Sequence, residues 1–166
     1  MMSLLLKRMS VRQFKAKPVA DEAITAMLQS AMQAPSARNQ QPWEFVVIKR
    51  REILDQLSET KGGAKPLKTA PLGILLLMRE EVGVPYMRPQ DMAAATQNIL
   101  LEATNLGLGS VWIGVYPREE TIEKVKAIIT IPKHLIPFSI VAIGHPDHAT
   151  KVEGLRYDEN RVRVIE

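Results

Sequence analysis

Leu72-Gly73-Ile74-Leu75-Leu76-Leu77-Met78 is apolar from end to end. The run is far shorter than the ~18 residues a membrane-spanning helix requires, and it reads as a strand. Upstream, Gly62-Gly63 and Pro66 break the chain. Ile53, Leu54 and Leu57 mark a short helix before that break, and Trp43 to Lys49 (WEFVVIK), β-branched and aromatic, reads as another strand. Ile24, Met27, Leu28 and Ala31 recur at helical spacing and predict a helix over 21–33. Asp21 is its expected N-cap, and Pro35 ends it because the residue before a proline avoids the helical region. Downstream, Arg79 to Pro89 reads as a loop, and a long helix is predicted from about Gln90 to Leu106. Met92, Thr96, Ile99, Ala103 and Leu106 form its stripe, and Gly107 suits the position just past its end. Ser110 to Val115 and Phe138 to Ile143 read as strands, Glu119 to Ile129 as a helix, and the alternating Arg161 to Ile165 as an edge strand. Strands interleaved unevenly with helices give one α/β or α+β domain over residues 1–166.

Composition narrows the class further. The 166 residues weigh 18.6 kDa, the size of one domain with a core that needs no disulfide or metal staple. Lys and Arg number 22 against 18 Asp and Glu, a net charge of +4. That mild excess suits a small anionic ligand and does not by itself indicate nucleic acid. With no cysteine, thiolate metal sites, Fe–S clusters and cysteine nucleophiles are excluded. Leu4-Leu5-Leu6 is too short for the apolar core of a signal peptide, so a soluble, cytoplasmic protein without a membrane partner is expected.

Four stretches carry chemistry. In Lys7-Arg8-Met9-Ser10-Val11-Arg12, alternate side chains of an extended segment share a face. Arg8, Ser10 and Arg12 would then present two guanidinium forks and a hydroxyl to a phosphate monoester, unless the segment is simply a solvated basic arm. Pro35-Ser36-Ala37-Arg38-Asn39-Gln40-Gln41-Pro42-Trp43 offers amides and a hydroxyl suited to the edge of a heterocycle, or a polar loop between helix and strand. Gly107-Leu108-Gly109-Ser110-Val111-Trp112-Ile113-Gly114 leaves a helix and enters a strand, the reverse of a dinucleotide-binding turn. Gly114 at the strand end still lets a ligand approach the backbone. Gly144-His145-Pro146-Asp147-His148 is a weak metal pattern. No hydrolase or phosphate-loop signature exists, which points to chemistry borrowed from an organic cofactor.

Together these stretches resemble the FMN-dependent nitroreductase family, from about Arg8 to the tail. Asp91 at the start of the long helix and Gly144-His145-Pro146 after a strand fit the same pattern. The resemblance implies an α+β fold with a central mixed sheet flanked by helices. It also implies an intertwined homodimer with FMN at the interface and a tail that embraces the partner. Carried over by position, Arg8 and Ser10 would hold the phosphate, Arg12 would lie near the N1–O2 edge of the ring, and Arg156 would bind phosphate. Pro35, Ser36, Ala37 and Asn39 would reach the flavin of the other subunit, and Ile113, Gly114 and Val115 would lie against the ring, a backbone N–H facing N5. The implied activity is transfer of hydride from NADH or NADPH, and then of two electrons to a nitro-aromatic, quinone or similar small acceptor, by a ping-pong sequence. The family's second C-terminal cation is replaced by Gly154, with Lys151 nearby, and Lys65 and Lys68 occupy the region of its middle-chain lysine. The short Arg79–Pro89 connection leaves no room for a large substrate lid. The rival readings are a flavin carrier or redox sensor with little turnover, a dehalogenating or ring-modifying relative, and a basic nucleic-acid binder. The last has no helix-turn-helix and, with 5% aromatics, too few stacking platforms.

Overall fold

In the computed structural model, residues 2–148 and 154–166 are described, with the backbone alone at Met2. Four strands form one sheet: β1 (Trp43–Ile48), β2 (Leu72–Arg79), β3 (Gly109–Gly114) and β4 (Leu135–Gly144). The order is β1-β2-β4-β3, and all three pairings are antiparallel. The expected mixed sheet is therefore corrected to an antiparallel one. The parallel pairing among the described residues is a single bridge, Ser10 to Ser110.

The apolar run is a central strand with both faces covered. Leu72, Ile74, Leu76 and Met78 face the cluster that contains α2 (Asp21–Met32) and α4 (Arg88–Asn105). Leu75 and Leu77 face the cluster built with α3 (Arg51–Ser58) and α5 (Glu119–Ile128). Period-two alternation between two sealed faces leaves no polar position in such a strand. Each of these large side chains, fully buried, contributes about 1.5–3 kcal/mol. Gly73 leaves room where α3 crosses: a Cβ there would stand 2.9 Å from Leu54 Cδ2, so that the leucine end would have to shift.

Two irregularities shape the site end of the sheet. Between Leu76 and Leu77 the β2–β4 register slips, so Leu76 faces Ser139 and Leu77 faces Pro137. Phe138 is the extra residue, and Pro137, with no N–H to give a ladder, sits at the bulge. The Phe138 carbonyl accepts from the Val115 and Tyr116 N–H groups at 3.0 and 2.9 Å, turning the chain as it leaves β3. At the other end of β3, Gly107 has φ +71° past the end of α4. Its N–H bonds to Thr104 O and the Leu108 N–H to Ala103 O, the paired bonds of a Schellman stop.

Three expectations change. Asp21 is the first residue of α2 rather than its cap, and its carboxylate pairs with Lys49 beyond β1. A short helix, α1 (Met2–Lys7), precedes the arm, where the sequence showed only an apolar triplet. Residues 162–166 form no strand: after a one-turn 3-10 helix (Glu159–Arg161) they lie exposed and, among the described residues, pair with no strand.

Candidate functional site

The arm after α1 is tied to the edge of the sheet. The Val11 N–H donates to Ser110 O at 3.0 Å beside the Ser10–Ser110 bridge, and Val11 packs into the α3/α5 cluster. Gly109 makes room for it, since a Cβ there would lie 2.8 Å from Val11 Cβ. Further on, Lys15 N–H donates to His145 O at 2.9 Å, Asp147 N–H to Gln13 O at 3.1 Å, and Phe14 N–H to Thr69 Oγ1 at 3.3 Å. Gly144 accommodates Phe14 and Pro71: a Cβ would meet Pro71 Cδ at 2.6 Å. Gly144-His145-Pro146 is thus the seat of the arm. Among the described residues no group of three or more His, Cys, Asp or Glu could hold a metal, and His148 lies 3.5 Å from the Asp147 carboxylate.

With Val11 turned into the core, its neighbour Ser10 takes the opposite face. Ser10 and Arg8 are half-buried, and Arg12 is exposed, its guanidinium 3.4 Å from Ser10 O. Ser110, across the bridge, keeps its Oγ buried without a partner, and buried hydroxyls are usually bonded.

Alternation along β3 decides which backbone groups face outward. Ser110 O points to the arm and Val115 N–H points to β4, so the 110, 112 and 114 backbone groups face the open edge. Of the three predicted ring-facing residues, Gly114 therefore presents its N–H to the edge, while Ile113 and Val115 turn theirs toward β4. A Cβ on Gly114 would meet nothing within 4 Å, leaving open space over the strand. Ser110 to Gly114 spans four residues, ~13 Å.

Sequence reasoning missed Lys61, whose Nζ donates to Gly114 O at 2.9 Å. Burial, and then the positive charge of Arg118, push the Lys61 pKa below its ordinary value. The signal was faint: one more lysine before a glycine pair. Lys65 and Lys68 instead both pair with Glu59, which accounts for them without a ligand. Those two lysines hold the Glu59 carboxyl at about 2, well below its usual value.

The loop from Pro35 to Pro42 is strained. Arg38, Asn39 and Gln41 have φ of 55°, 53° and 49°. Left-handed non-glycine residues cost about 1–3 kcal/mol each and cluster at functional sites. The Ser36 hydroxyl accepts from Gln41 N–H at 3.0 Å, and Asn39 Oδ1 accepts from Gln41 Nε2 at 3.1 Å. Asp91, 5% exposed in the first turn of α4, accepts the Ala37 N–H at 3.0 Å through Oδ1, while its Oδ2 is buried without a partner. The loop's hydrogen bonds run to itself, to α4 and, through Pro42 O, to Arg79 N–H at the end of β2, and the arm's run to β3, to the 145–147 turn and to Thr69. Among the described residues these bonds do not join the two predicted groups.

Arg156 lies on the exposed tail, and Lys151 falls outside the described residues. A cavity of about 800 Å³ opens elsewhere, beneath the arm between Phe14, Ile24, Leu54 and Leu72. The cations on its rim are already engaged: Lys49 with Asp21, Arg51 with Asp55, Lys68 with Glu59. No described helix is long and apolar enough to cross a membrane.

Comparison with known proteins completes the description. The model of the nitroreductase family matches residues 5–81 and 58–145. A protein of Archaeoglobus fulgidus, provisionally named an NADH dehydrogenase/NAD(P)H nitroreductase, is 41% identical over 87% of this chain and 84% of its own. A crystal structure from Clostridium acetobutylicum, provisionally an NADH oxidase, superposes with TM-score 0.94 at 43% identity, covering 98% of this chain and 99% of that one. An FMN-dependent nitroreductase of Clostridium difficile superposes with TM-score 0.93 at 30% identity, covering 100% and 99%. The chain belongs to the nitroreductase family.

Proposed function

We propose, from that family membership, that the chain is an FMN-dependent oxidoreductase. It would take hydride from NADH or NADPH and reduce nitro-aromatics, quinones or similar small acceptors. The observation that carries this reading is the arm bonded to the open edge of β3, with Gly114 facing outward four residues beyond Ser110. The residues fit the cofactor. The orphaned Ser110 hydroxyl and the basic arm lie at one end of that edge, and the uncrowded Gly114 N–H lies at the other. A relative from Desulfovibrio desulfuricans, 27% identical, was solved in complex with FMN.

Bound there, FMN would supply the redox chemistry by accepting hydride and passing two electrons on. The protein's part is orientation and field. Arg8 and Ser10, with Arg156, hold the phosphate by charge-assisted hydrogen bonds. Arg12 offers positive charge where reduction places negative charge, on the N1–O2 edge. Ile113, Gly114 and Val115 provide a flat backbone floor, and Gly114 donates its N–H. Pro35, Ser36, Ala37 and Asn39 close the site of a second copy, which suits a loop that bonds to α4 rather than to its own arm.

A homodimer follows from the same reading. Val164 and Ile165 are 76% and 88% exposed, and an apolar tail of this kind has a surface to cover on another chain.

Titrating the purified protein with FMN, then anaerobically with NADH and with NADPH, tests the proposal. Tight binding and rapid bleaching by either nicotinamide are expected. A protein that takes up no FMN overturns it, and bleaching with no transfer to any nitro or quinone acceptor leaves the carrier reading in its place. Arg12→Ala should make the potential of the bound flavin more negative and slow its reduction; no change in either would refute the role of Arg12.

A further inference from the structure

Asp91 is the one buried charged side chain among the described residues. It lies 5% exposed in the first turn of α4, and its carboxylate has no ion-pair partner among those residues. Oδ1 accepts the Ala37 N–H at 3.0 Å, and Oδ2 is buried without a partner. The positive end of the α4 dipole offsets part of the cost of burying the charge. A carboxylate satisfied through one oxygen is still costly, and the bond it does make is stronger than one to a neutral acceptor. Such a group is retained where that strong bond has a task.

The N–H it takes heads a strained turn. Ala37 opens the one-turn 3-10 helix Ala37–Asn39, in which Arg38 and Asn39 are left-handed. Residues keep that geometry only where their surroundings over-determine it. Inside the turn, the Asn39 N–H donates to Ser36 O at 2.9 Å, the Gln41 N–H to Ser36 Oγ and Gln41 Nε2 to Asn39 Oδ1. These bonds use acceptors of the Ser36 and Asn39 side chains. Their donors, the Ser36 O–H and Asn39 Nδ2, have no acceptor among the described residues and suit the carbonyl oxygens of a heterocycle. Internal bonds give the turn its shape but not its place. Pro42 O on the Arg79 N–H holds its far end, and Asp91 holds its head on α4, which is packed into the core through Met92, Ala95 and Ile99.

We propose that Asp91 is a positioning residue acting across the dimer: its charged Oδ1 pins the head of the 35–42 loop to α4, so that the Ser36 and Asn39 donors meet the ring of the FMN held by the arm of the other copy. This rests on the FMN reading above and on the second copy which that reading includes. Loss of the carboxylate therefore impairs the neighbour's site and leaves the arm of its own chain intact.

Full-length wild type, Asp91→Ala and Asp91→Asn are compared by hydrogen exchange of the Ala37 amide without FMN, and by titration with FMN. Asp91→Ala should speed the exchange and bind FMN about tenfold more weakly, the scale of one hydrogen bond to a charged group. Asp91→Asn, with a neutral acceptor in the same place, should fall between. A second experiment pairs Asp91→Ala with a chain whose arm is disabled by Arg8→Ala and Arg12→Ala, the two carrying different tags and purified as the mixed dimer. One site of that dimer has an intact arm and an intact loop, and the other has neither, so one FMN per dimer should bind with wild-type affinity. A mixed dimer without such a site overturns the action across the dimer. If wild type binds FMN and Asp91→Ala matches its affinity, this inference fails while the cofactor reading stands, even if the variant melts earlier. If Asp91→Ala does not fold, Asp91→Asn replaces it in both experiments, and wild-type exchange and affinity in Asp91→Asn overturn the inference. A wild type that takes no FMN removes both proposals, and one that binds FMN as a monomer removes this one and the dimer but not the cofactor.

Discussion

The two ends of the chain carry similar patterns and end up in opposite situations. The arm, Arg8-Met9-Ser10-Val11-Arg12, and the tail, Arg161-Val162-Arg163-Val164-Ile165, both alternate basic or polar with apolar residues. The arm is bonded to β3 and seated on the 145–147 turn, with Phe14 buried. The tail exposes Val162, Val164 and Ile165. Alternation gives a segment a face, but only a free strand edge gives its backbone a partner. Within one chain the arm reaches such an edge, and glycines at 109 and 144 let it lie close. The tail reaches none, and in the proposed dimer a second chain supplies what it lacks.

The sharpest way to break the comparison is to unseat the arm. Gly144→Ala places a Cβ 2.6 Å from Pro71 Cδ, in a ring that cannot swing aside. We expect a loss of about 3 kcal/mol, read by urea denaturation, because overpacking against rigid neighbours costs on that scale. A stability within error of wild type would mean that the arm is not held there.

The next test moves to the tail. Val164→Asp combined with Ile165→Asp leaves the single-chain core untouched, since both side chains are exposed. Sedimentation should show the proposed dimer weakened by roughly a hundredfold, about 2.8 kcal/mol, with native-like far-UV circular dichroism in the released monomer. An unchanged dimer would place the tail outside the interface.

The smallest effect sharpens the seat itself. Thr69, which receives the Phe14 N–H, directly follows Lys68, which Glu59 holds. Glu59 has a folded pKa lowered from 4.5 to about 2, chiefly by Lys65 and then Lys68. A depressed carboxyl contributes stability above its unfolded value and loses it as pH falls through the folded one. The Glu59 contribution is therefore complete above about pH 4.5 and gone near pH 2. The pair is exposed, so Glu59→Gln should flatten the acid limb of the stability curve only slightly. Identical curves for the two proteins between these values would remove Glu59 from the account.

Much of the fold was legible. The LGILLLM run announced a strand, and Gly107 ended α4 as its sequence position suggested, because both signals are local: a period and a backbone angle. Asp21 was read as a cap, but Ala20 O already accepts the Ile24 N–H, so the helix starts one residue earlier and the Asp21 carboxylate pairs with Lys49 instead. The residues of the candidate site were legible as motifs, but not which of them faces outward. Asp91 could be placed at the head of α4, yet its bond to Ala37 N–H depends on how helix and loop meet.

The sequence by itself determined the order of the elements from α2 to β4 and the family, since these follow from periodicity, turn residues and ordered motifs within short windows. Only the tertiary structure decided that every pairing of the sheet is antiparallel, that Gly114 rather than its neighbours faces the open edge, and that Lys61 rather than Lys65 or Lys68 reaches it. Strand register and long-range side-chain contacts arise from how both faces of the sheet are covered at once, and no local pattern encodes that.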